Sequence, residues 1–369
     1  MNKLDNLDNL LLMGPGPSTT YPNVYKALAK PTIGHMDPYF LGIMDDIKSM
    51  LQTVLGTKNE LTLPMSGTGS AGMETAFVNL IEKGDNVLIL SNGVFGGRMT
   101  DVATRLGANV DVVDFEWGQV VTLDKVKEAL AKKDYMLVAV VHAETSTGVL
   151  NPVEQIGALV KETGALFLAD CVTSLGGIPI EMDKWGVDVI YSGTQKCLSV
   201  PPGLSPVSFS TKATDKIFNR ATKVPNWYLD LNMIANYVGG ASRVYHHTAP
   251  INMNYALYQS LYDLLEEGLE NVYARHAQAH KLLAEGLNKL GLELIVDESC
   301  RLPMLNAVKI PEGVQDAPFR AKLLNEHKIE IGGGLGNFAG KVWRIGLMGY
   351  TARPENVARV LEVIGKELG

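Results

Sequence analysis

Short apolar segments alternate with helix-like patterns along much of the chain, and this alternation restricts the possible folds more than any other feature. Residues 86–90, 135–141, 165–170 and 188–192 are mostly apolar at successive positions. Strands of parallel sheets have this composition because helices cover both faces of the sheet. Between these segments, as in residues 73–81, apolar side chains recur at helical spacing. The pattern predicts an open three-layer α/β domain with a mostly parallel sheet.

The two ends of the chain follow different patterns. The first thirty or so residues are rich in proline and glycine, as in GPGPSTTYP at 14–22, which predicts an extended arm rather than a regular element. A long helical pattern at 252–290 precedes a strand pattern at 342–347 and an amphipathic helix that starts near Pro354. We therefore predict three parts: an N-terminal arm (1–20), a large α/β domain (21–262) and a small C-terminal α+β domain (263–369).

Composition and charge argue against several classes of function. The 369 residues carry a formal net charge of −7 with scattered Lys and Arg, so no basic surface for nucleic acid is expected. The longest apolar stretch, near residues 136–141, is far shorter than the roughly 20 residues that span a bilayer. The first residues include Asp5 and Asp8 without a basic signal-peptide region, and the three cysteines show no paired spacing. We expect a cytoplasmic protein with no membrane segment and no zinc site.

A glycine-rich loop precedes the first helix pattern. Gly67, Gly69 and Gly72 have the G-x-G-x-x-G spacing of dinucleotide-binding folds. In those folds an acidic residue about 20 positions later, at the end of the second strand, binds the ribose. Here Asp85 lies before the strand at 86–90 instead of after it. A nicotinamide dehydrogenase is therefore disfavoured.

The same loop fits a phosphate group. Backbone N–H groups at the start of a helix, with the hydroxyls of Thr68 and Ser70 beside Gly69, form a concave donor site for a dianion. The alternative interpretation is that the glycines only make a tight turn between strand and helix.

Two further residues lie where parallel strands end. Asp170 ends the segment ALFLAD, and Lys196 follows the next strand in the turn YSGTQKCLSVPPG. Open α/β sheets bind ligands at this edge, and burial favours the neutral, nucleophilic form of a lysine. Taken singly, such residues are more often a cap and a solvated charge. Together with a phosphate site they match pyridoxal phosphate, which needs an anion site, a partner for its ring nitrogen and an amine for its aldehyde.

The whole chain resembles the class V pyridoxal-phosphate aminotransferases, and within them the alanine-glyoxylate, serine-glyoxylate and serine-pyruvate group. The resemblance implies the type I fold of pyridoxal-phosphate enzymes. It runs nearly from end to end and rests on these motifs: LLMGPGPS (11–18), PTIGHMDP (31–38), SGTGSAGMETAFVN (66–79), HAETSTGVLNP (142–152), ADCVTSLGG (169–177), YSGTQKCLSVPPG (191–203), YHHTAP (245–250), GGLG (333–336) and RIGLMG (344–349).

The resemblance also implies roles for individual residues. Lys196 would form a Schiff base with the cofactor, and Asp170 would pair with its ring nitrogen. Phe95 and Val172 would lie against the two faces of the ring, with Phe95 where many members have Trp. Thr145 would lie near the ring oxygen and the substrate. The residues implied at the phosphate are Thr68, Gly69, Ser70 and Gln195, with Tyr245 and Thr248 reaching it from the partner subunit of a homodimer.

Arg344 matches the arginine that binds the substrate α-carboxylate in the family. It interrupts an apolar strand pattern, and a buried guanidinium needs an anionic partner. The alternative is an outward-facing arginine on a half-exposed strand. The resemblance implies ping-pong transfer of an amino group from a small amino acid, alanine or serine, to glyoxylate or another small 2-oxo acid. Aspartate or an aminoalkyl phosphonate are alternative donors.

The residues also leave other functions to be considered. A cysteine desulfurase needs a mobile thiol near the substrate, but the loop at 332–341 has no cysteine and Cys300 lies outside it. A non-catalytic subunit that kept the fold is a further alternative, although the residues expected for catalysis are present. The histidines at 142, 246 and 247 have no clear third ligand, so we assign no metal and interpret them as partly buried histidines with hydrogen-bond partners.

Overall fold

The computed structural model describes residues 2–239 and 243–369. Its strands are β1 (Leu11–Leu12), β2 (Leu61–Ser66), β3 (Asn86–Ser91), β4 (Asn109–Asp114), β5 (Leu137–Val141), β6 (Ala143–Glu144), β7 (Val149–Leu150), β8 (Leu166–Asp170), β9 (Val189–Tyr191), β10 (Leu204–Phe209), β11 (Leu305–Lys309), β12 (Ile329–Glu330), β13 (Gly332–Gly333) and β14 (Val342–Gly346).

The α-helices alternate with the strands over much of the chain. They are α1 (Pro22–Leu28), α2 (Pro38–Leu55), α3 (Gly69–Leu80), α4 (Val94–Arg105), α5 (Leu123–Leu130), α6 (Val153–Lys161), α7 (Thr211–Phe218), α8 (Leu231–Val238), α9 (Ile251–Glu267), α10 (Leu269–Lys289), α11 (Asp316–His327) and α12 (Pro354–Leu368). Across the described ranges, none of the helices has both the length and the apolar character required to cross a membrane.

A seven-stranded sheet forms the centre of the large α/β unit. Its strand order is β2-β10-β9-β8-β5-β3-β4. Strands β9, β8, β5, β3 and β4 pair in parallel, whereas β10 is antiparallel to both of its neighbours. The sheet is therefore mostly parallel, as predicted from the apolar segments.

Both faces of this sheet are covered. Along β5, Val138 and Val140 belong to one hydrophobic core, and Leu137 and Ala139 belong to another. Successive side chains of a strand point to opposite faces, so each face of β5 packs into its own core. This two-sided burial is the reason why the strands are continuously apolar, and it confirms the three-layer α/β prediction.

The smaller C-terminal unit has its own sheet and core. Its strand order is β11-β14-β13, with β14 antiparallel to both neighbours. Trp343 is fully buried here and stacks on Phe319 of α11 at 4.3 Å between ring centroids. The amphipathic helix expected near Pro354 is α12, and it buries Val357, Val360 and Ile364. The exact division into domains stays a prediction.

Two sequence-based expectations differ from the structure. The helical pattern at 252–290 is not one helix but two, because Gly268 between α9 and α10 adopts a φ of 84° that interrupts the helical path. The N-terminal segment is extended only in part. Its residues Leu11 and Leu12 pair in parallel with β12, but helix α1 follows at Pro22, inside the stretch expected to be irregular. Proline is compatible with this position because it tolerates the first helical turn.

Candidate active site

A cavity lies at the carboxyl ends of β8 and β9, next to the start of α3. Parallel strands end at the same edge of a sheet, so residues that follow different strands converge there. The cavity brings together most of the residues predicted from the sequence. The predicted residues that line it are Gly69, Ser70, Phe95, Thr145, Asp170, Val172, Gln195 and Lys196.

The start of α3 is prepared to bind an anion. Thr68 precedes the helix in an extended conformation, and its side chain makes no capping hydrogen bond. Within the described residues, the backbone N–H groups of Gly69 and Ser70 donate to no protein atom, so both are available to a ligand. Gly67 must be glycine, because its φ is 124° and an added Cβ would lie 2.6 Å from the Ala71 side chain.

Gln195 supports the same interpretation. Its Oε1 atom is buried without a hydrogen-bond partner among the residues described. Buried polar groups are nearly always paired, so an orphaned amide in a cavity indicates a polar ligand. The donors at the start of α3 fit the phosphate of pyridoxal phosphate, and Gln195 can add a donor when its amide turns by about 180°, which replaces the accepting Oε1 by the donating Nε2.

Asp170 is buried at the end of β8. Its Oδ1 accepts a hydrogen bond from the backbone N–H of Val172 at 2.8 Å, and its Oδ2 accepts one from the hydroxyl of Tyr191 at 2.7 Å. Burial raises the pKa of this carboxyl group to about 6, while the two hydrogen bonds oppose that rise. At neutral pH the group is therefore mostly ionised and can pair with a protonated ring nitrogen.

Lys196 lies in a turn after β9, as the sequence indicated, and only 8% of its surface is exposed. The turn is fixed by Ser18, whose hydroxyl donates to the Lys196 carbonyl at 2.7 Å. The Nζ atom donates to the carbonyl of Pro15 in the N-terminal arm. Burial, assisted by the charge of Arg344, lowers the pKa of Lys196 to about 8. About a tenth of the amine is therefore neutral at pH 7, which makes it an effective nucleophile.

Phe95 is held by a residue that the sequence reasoning missed. Glu144, fully buried in the HAETSTG segment, accepts hydrogen bonds from the Phe95 N–H at 3.2 Å and from the Ser146 hydroxyl and N–H. Burial raises the pKa of Glu144 to about 7. The guanidinium of Arg98 lies over the Phe95 ring, 4.8 Å from its centroid. Glu144 therefore fixes the start of α4 and with it the ring of Phe95.

Arg344 is buried in β14, so the interpretation as an outward-facing arginine is wrong. Its Nε donates to the carbonyl of Gly333 at 2.7 Å and its Nη1 to the carbonyl of Thr145 at 3.1 Å. Its Nη2 has no hydrogen bond to any described residue and is available to a substrate. Burial lowers the pKa of Arg344 to about 10, which leaves it charged at neutral pH. Arg344 does not line the cavity itself but contacts Thr145, which does.

Tyr245 and Thr248 lie apart from this cavity within the same chain. Tyr245 is 55% exposed, and its hydroxyl lies 3.4 Å from that of Thr248. Its ring packs beside His35 at 4.9 Å between ring centroids. Neither residue lines the cavity, and the same is true of Thr68, although Thr68 directly precedes two residues that do.

Tyr191 is a second residue that sequence reasoning missed. It is the last residue of β9, and the parallel register places it opposite Asp170. One sequence feature could have indicated Tyr191: a tyrosine and an aspartate lie at the ends of two successive strand segments. Sequence alone did not show that these two strands are neighbours in the sheet.

The three histidines have different environments. His142 is buried, with Nδ1 3.0 Å from the Ser174 hydroxyl, and His247 contacts the Ser66 hydroxyl at 3.0 Å. His246 contacts His247, but its buried Nε2 has no partner in the part of the chain that is described. The expectation of a fully paired histidine is therefore wrong for His246.

The fold and the site define a type I pyridoxal-phosphate enzyme, because a mostly parallel sheet presents a phosphate site, an aspartate and a buried lysine at one edge. The family model described as Aminotransferase class-V matches residues 18–358. The chain belongs to the class V aminotransferases, which use pyridoxal phosphate.

Individual relatives are similar over most of their length. Alanine–glyoxylate aminotransferase of Rattus norvegicus is 42% identical, with 100% of this chain and 90% of that protein covered. The (S)-ureidoglycine–glyoxylate transaminase of Bacillus subtilis is 38% identical, with 95% of this chain and 88% of that protein covered. A crystal structure of alanine–glyoxylate aminotransferase from Nostoc sp. superposes with a TM-score of 0.98 at 47% identity, covering 100% of this chain and 97% of that one.

Proposed function

We propose that the protein transfers the amino group of a small amino acid, alanine or serine, to glyoxylate or another small 2-oxo acid. The observation that carries this proposal is the convergence of Lys196, Asp170 and Arg344 around one site. The chain that holds them is 47% identical over its whole length to a solved alanine–glyoxylate aminotransferase.

Some residues of the site bind the cofactor, and others hold or transfer protons. Bound pyridoxal phosphate supplies an aldehyde that reacts with amines and a ring that accepts electrons from the substrate α-carbon. Gly69, Ser70 and Gln195 bind its phosphate, with Thr68 beside them. Asp170 keeps a proton on the ring nitrogen. The neutral Nζ of Lys196 would accept the proton of the substrate α-carbon and would then donate it, as a general acid, to the carbon that the cofactor's aldehyde contributes.

The remaining residues position the two reacting partners. Phe95 and Val172 would restrict the cofactor ring from its two faces, and Thr145 would lie beside the ring oxygen. Arg344 binds the α-carboxylate through its free Nη2. Both the amino donor and the oxo acceptor carry such a carboxylate, and one arginine can serve only one of them at a time. The two substrates must therefore bind in turn, and with the amino group retained on the cofactor between the two half-reactions this order would give ping-pong kinetics.

The N-terminal arm restricts the space beside Lys196. A Cβ added to Gly16 would lie 2.6 Å from the lysine Nζ, and one added to Gly332 would lie 2.4 Å from the ring of Pro15. A substrate held by Arg344 next to Lys196 therefore meets backbone on this side. The arrangement favours donors with short side chains over aspartate or an aminoalkyl phosphonate.

The function is tested by half-reactions with purified protein reconstituted with pyridoxal phosphate. Alanine, serine, aspartate and an aminoalkyl phosphonate are compared as donors, and glyoxylate and pyruvate as acceptors. We expect alanine or serine with glyoxylate to give the highest kcat/KM, and Lys196→Ala to lower turnover by several orders of magnitude. The exposed-surface variant Lys309→Ala is the control. A preference for aspartate or the phosphonate would overturn the proposed donor, and normal turnover of Lys196→Ala would overturn the site.

We also propose a homodimer in which Tyr245 and Thr248 reach the phosphate of the partner's site. Their position outside the cavity of their own chain and the exposure of Tyr245 support this proposal. Co-expression of a Lys196→Ala chain with a Tyr245→Ala chain tests it. If the residues act across subunits, each mixed dimer has one site with both defects and one intact site, so activity returns. If Tyr245 serves its own chain, both sites are defective and activity stays low.

A cytoplasmic location is part of the proposal. The cysteines at 171, 197 and 300 are free thiols, and the first two are buried. Reduced thiols are typical of proteins in a reducing compartment. Fractionation of the source cells with an antibody against the protein tests this, and recovery outside the cytoplasm would contradict it.

A further inference from the structure

The hydroxyl of Tyr191 approaches the carboxylate expected to face the ring nitrogen of the cofactor. Tyr191 and Asp170 lie opposite each other at the ends of the neighbouring parallel strands β9 and β8. The Tyr191 Oη lies 2.7 Å from Asp170 Oδ2, and only 1% of the Tyr191 surface is exposed. Both residues also line the cavity, so their hydrogen bond lies at the wall of the binding site.

This contact affects how the carboxylate is held. Asp170 Oδ1 accepts from the Val172 N–H at 2.8 Å while Oδ2 accepts from Tyr191, so each oxygen has one donor from the protein. One donor follows β8 and the other ends β9. Together they fix both the position and the plane of the carboxylate. Hydrogen bonds from protein donors also stabilise the ionised form over the neutral acid.

The direction of proton donation is unambiguous. Burial and the nearby negative charge of Asp170 raise the pKa of Tyr191 well above its ordinary value. Tyr191 therefore keeps its proton at neutral pH, where it acts as the donor and the ionised Asp170 as the acceptor. Asp170 is the member of the pair that titrates.

Other charged groups surround Asp170. Lys196 and Arg98 favour its ionised form, and Glu144 is a second buried carboxyl group close enough for the two negative charges to repel. Burial itself acts against ionisation. A hydroxyl donor aimed at Oδ2 therefore matters more here than at an exposed aspartate, because water cannot replace it.

We propose that Tyr191 is a positioning residue whose hydroxyl keeps Asp170 ionised and oriented toward the ring nitrogen of bound pyridoxal phosphate. The proposal rests on the role of Asp170 in the proposed function. Tyr191 contacts Asp170 and acts through it, and no proton passes from the tyrosine.

The variant Tyr191→Phe removes the hydroxyl and keeps the aromatic ring in the core. Its dissociation constant for pyridoxal phosphate is measured by equilibrium dialysis across a pH series, in parallel with the visible absorption spectrum. We expect about tenfold weaker binding near neutral pH, since a hydrogen bond to a charged group is lost. We also expect the acid-side loss of binding to begin about one pH unit higher than in the wild type, because the pKa of Asp170 rises.

Tyr135→Phe is the matched control. The Tyr135 hydroxyl also donates to an aspartate, Asp111 Oδ2, at 2.6 Å, but this pair lies outside the site. Loss of a tyrosine–aspartate hydrogen bond in general should lower the melting temperature of both variants. Only Tyr191→Phe should alter the pH profile of cofactor binding. Equal pH profiles for the two variants would overturn the proposal.

A double variant separates this proposal from the proposed function. If Tyr191 acts through Asp170, then Tyr191→Phe should not weaken binding further in an Asp170→Asn background. An additive loss in the double variant would contradict this route. If Asp170→Asn alone leaves cofactor binding unchanged, the role of Asp170 in the proposed function fails as well. If Asp170→Asn weakens binding while Tyr191→Phe does not, only the role of Tyr191 is overturned.

A measurement that does not use Tyr191→Phe covers the case in which that variant does not fold. The infrared difference spectrum between wild-type holoenzyme and Asp170→Asn reports the protonation state of this carboxyl group. We expect the bands of an ionised, hydrogen-bonded carboxylate near neutral pH. The C=O band of a protonated acid would overturn the proposal.

Discussion

The Nη1 atom of Arg344 donates to the main-chain oxygen of Thr145 over 3.1 Å, and this contact joins strand β14 to the loop that borders the cofactor cavity. A second donor of the same guanidinium, Nε, is bound to the carbonyl of Gly333. Both acceptors belong to the backbone, so the orientation of the arginine does not depend on flexible side chains. The guanidinium is therefore oriented before a substrate arrives, which lowers the entropy that binding must overcome.

We expect Arg344→Lys to bind both substrates poorly although it keeps the positive charge. A lysine cannot reproduce the fork that holds Gly333 and Thr145 while it also binds a carboxylate. KM for the amino donor and for the oxo acceptor should each rise about tenfold or more, and Arg344→Gln should be worse still. Steady-state kinetics with both substrates measure this.

Arg359→Lys is the control for that variant, because Arg359 lies on the exposed side of α12. A rise in KM for only one of the two substrates would contradict a shared carboxylate site.

Capture of the cofactor by the apoprotein should depend on pH through Lys196. Because burial lowers the pKa of this lysine to about 8, the neutral amine decreases tenfold for each pH unit below that value. The second-order rate of pyridoxal phosphate uptake, followed by absorbance after rapid mixing, should therefore rise with pH and level off above about 8. A rate that keeps rising toward the ordinary pKa of lysine would show that the amine is not desolvated.

Gly16→Ala should impair the reactions in which the Lys196 amine takes part. The new Cβ would lie 2.6 Å from Nζ, and the φ of 105° at this position is unfavourable for any residue with a side chain. We expect turnover and the rate of cofactor capture to fall at least tenfold.

Gly14→Ala is the matched control on the same arm, since its Cβ would meet no atom closer than 3.5 Å. Equal losses in Gly14→Ala and Gly16→Ala would indicate a general disturbance of the arm and contradict the specific effect on Lys196.

Stability below neutral pH should depend on His276. This fully buried histidine contacts the Val272 carbonyl through Nδ1 and accepts from the Gly349 N–H through Nε2. Burial, followed by the charge of Arg275, lowers the pKa of His276 to about 4. The unfolded chain therefore binds more protons than the folded one between the ordinary histidine pKa and about 4, so the free energy of unfolding falls as pH drops through this range.

The expected loss attributable to His276 is on the order of 3 kcal/mol across that interval. Denaturant unfolding of the wild type and of His276→Gln at neutral and at mildly acidic pH measures it. The variant should be less stable at neutral pH but should show a flatter pH dependence. Parallel pH dependences would mean that His276 is protonated as easily in the folded state as in the unfolded one.

The sequence by itself determined the features that depend on short stretches of chain. Continuous apolar segments separated by helical patterns predicted the parallel sheet, because each such segment must be covered on both faces. The glycine-rich start of α3 predicted a phosphate site, and the positions of Asp170 and Lys196 just past two strands placed them at the ligand-binding edge. Each of these inferences uses only one helix or strand and the residues next to it in the sequence.

Only the tertiary structure decided which of these residues meet and through which atoms. Pro15 and Lys196 are 181 residues apart, and Thr145 and Arg344 are 199 apart, yet each pair is joined by a hydrogen bond. The bond from Tyr191 to Asp170 requires that β8 and β9 be neighbours in the correct register. Strand order, register and the docking of the arm arise from packing of the whole chain, and no local pattern of residue types encodes them.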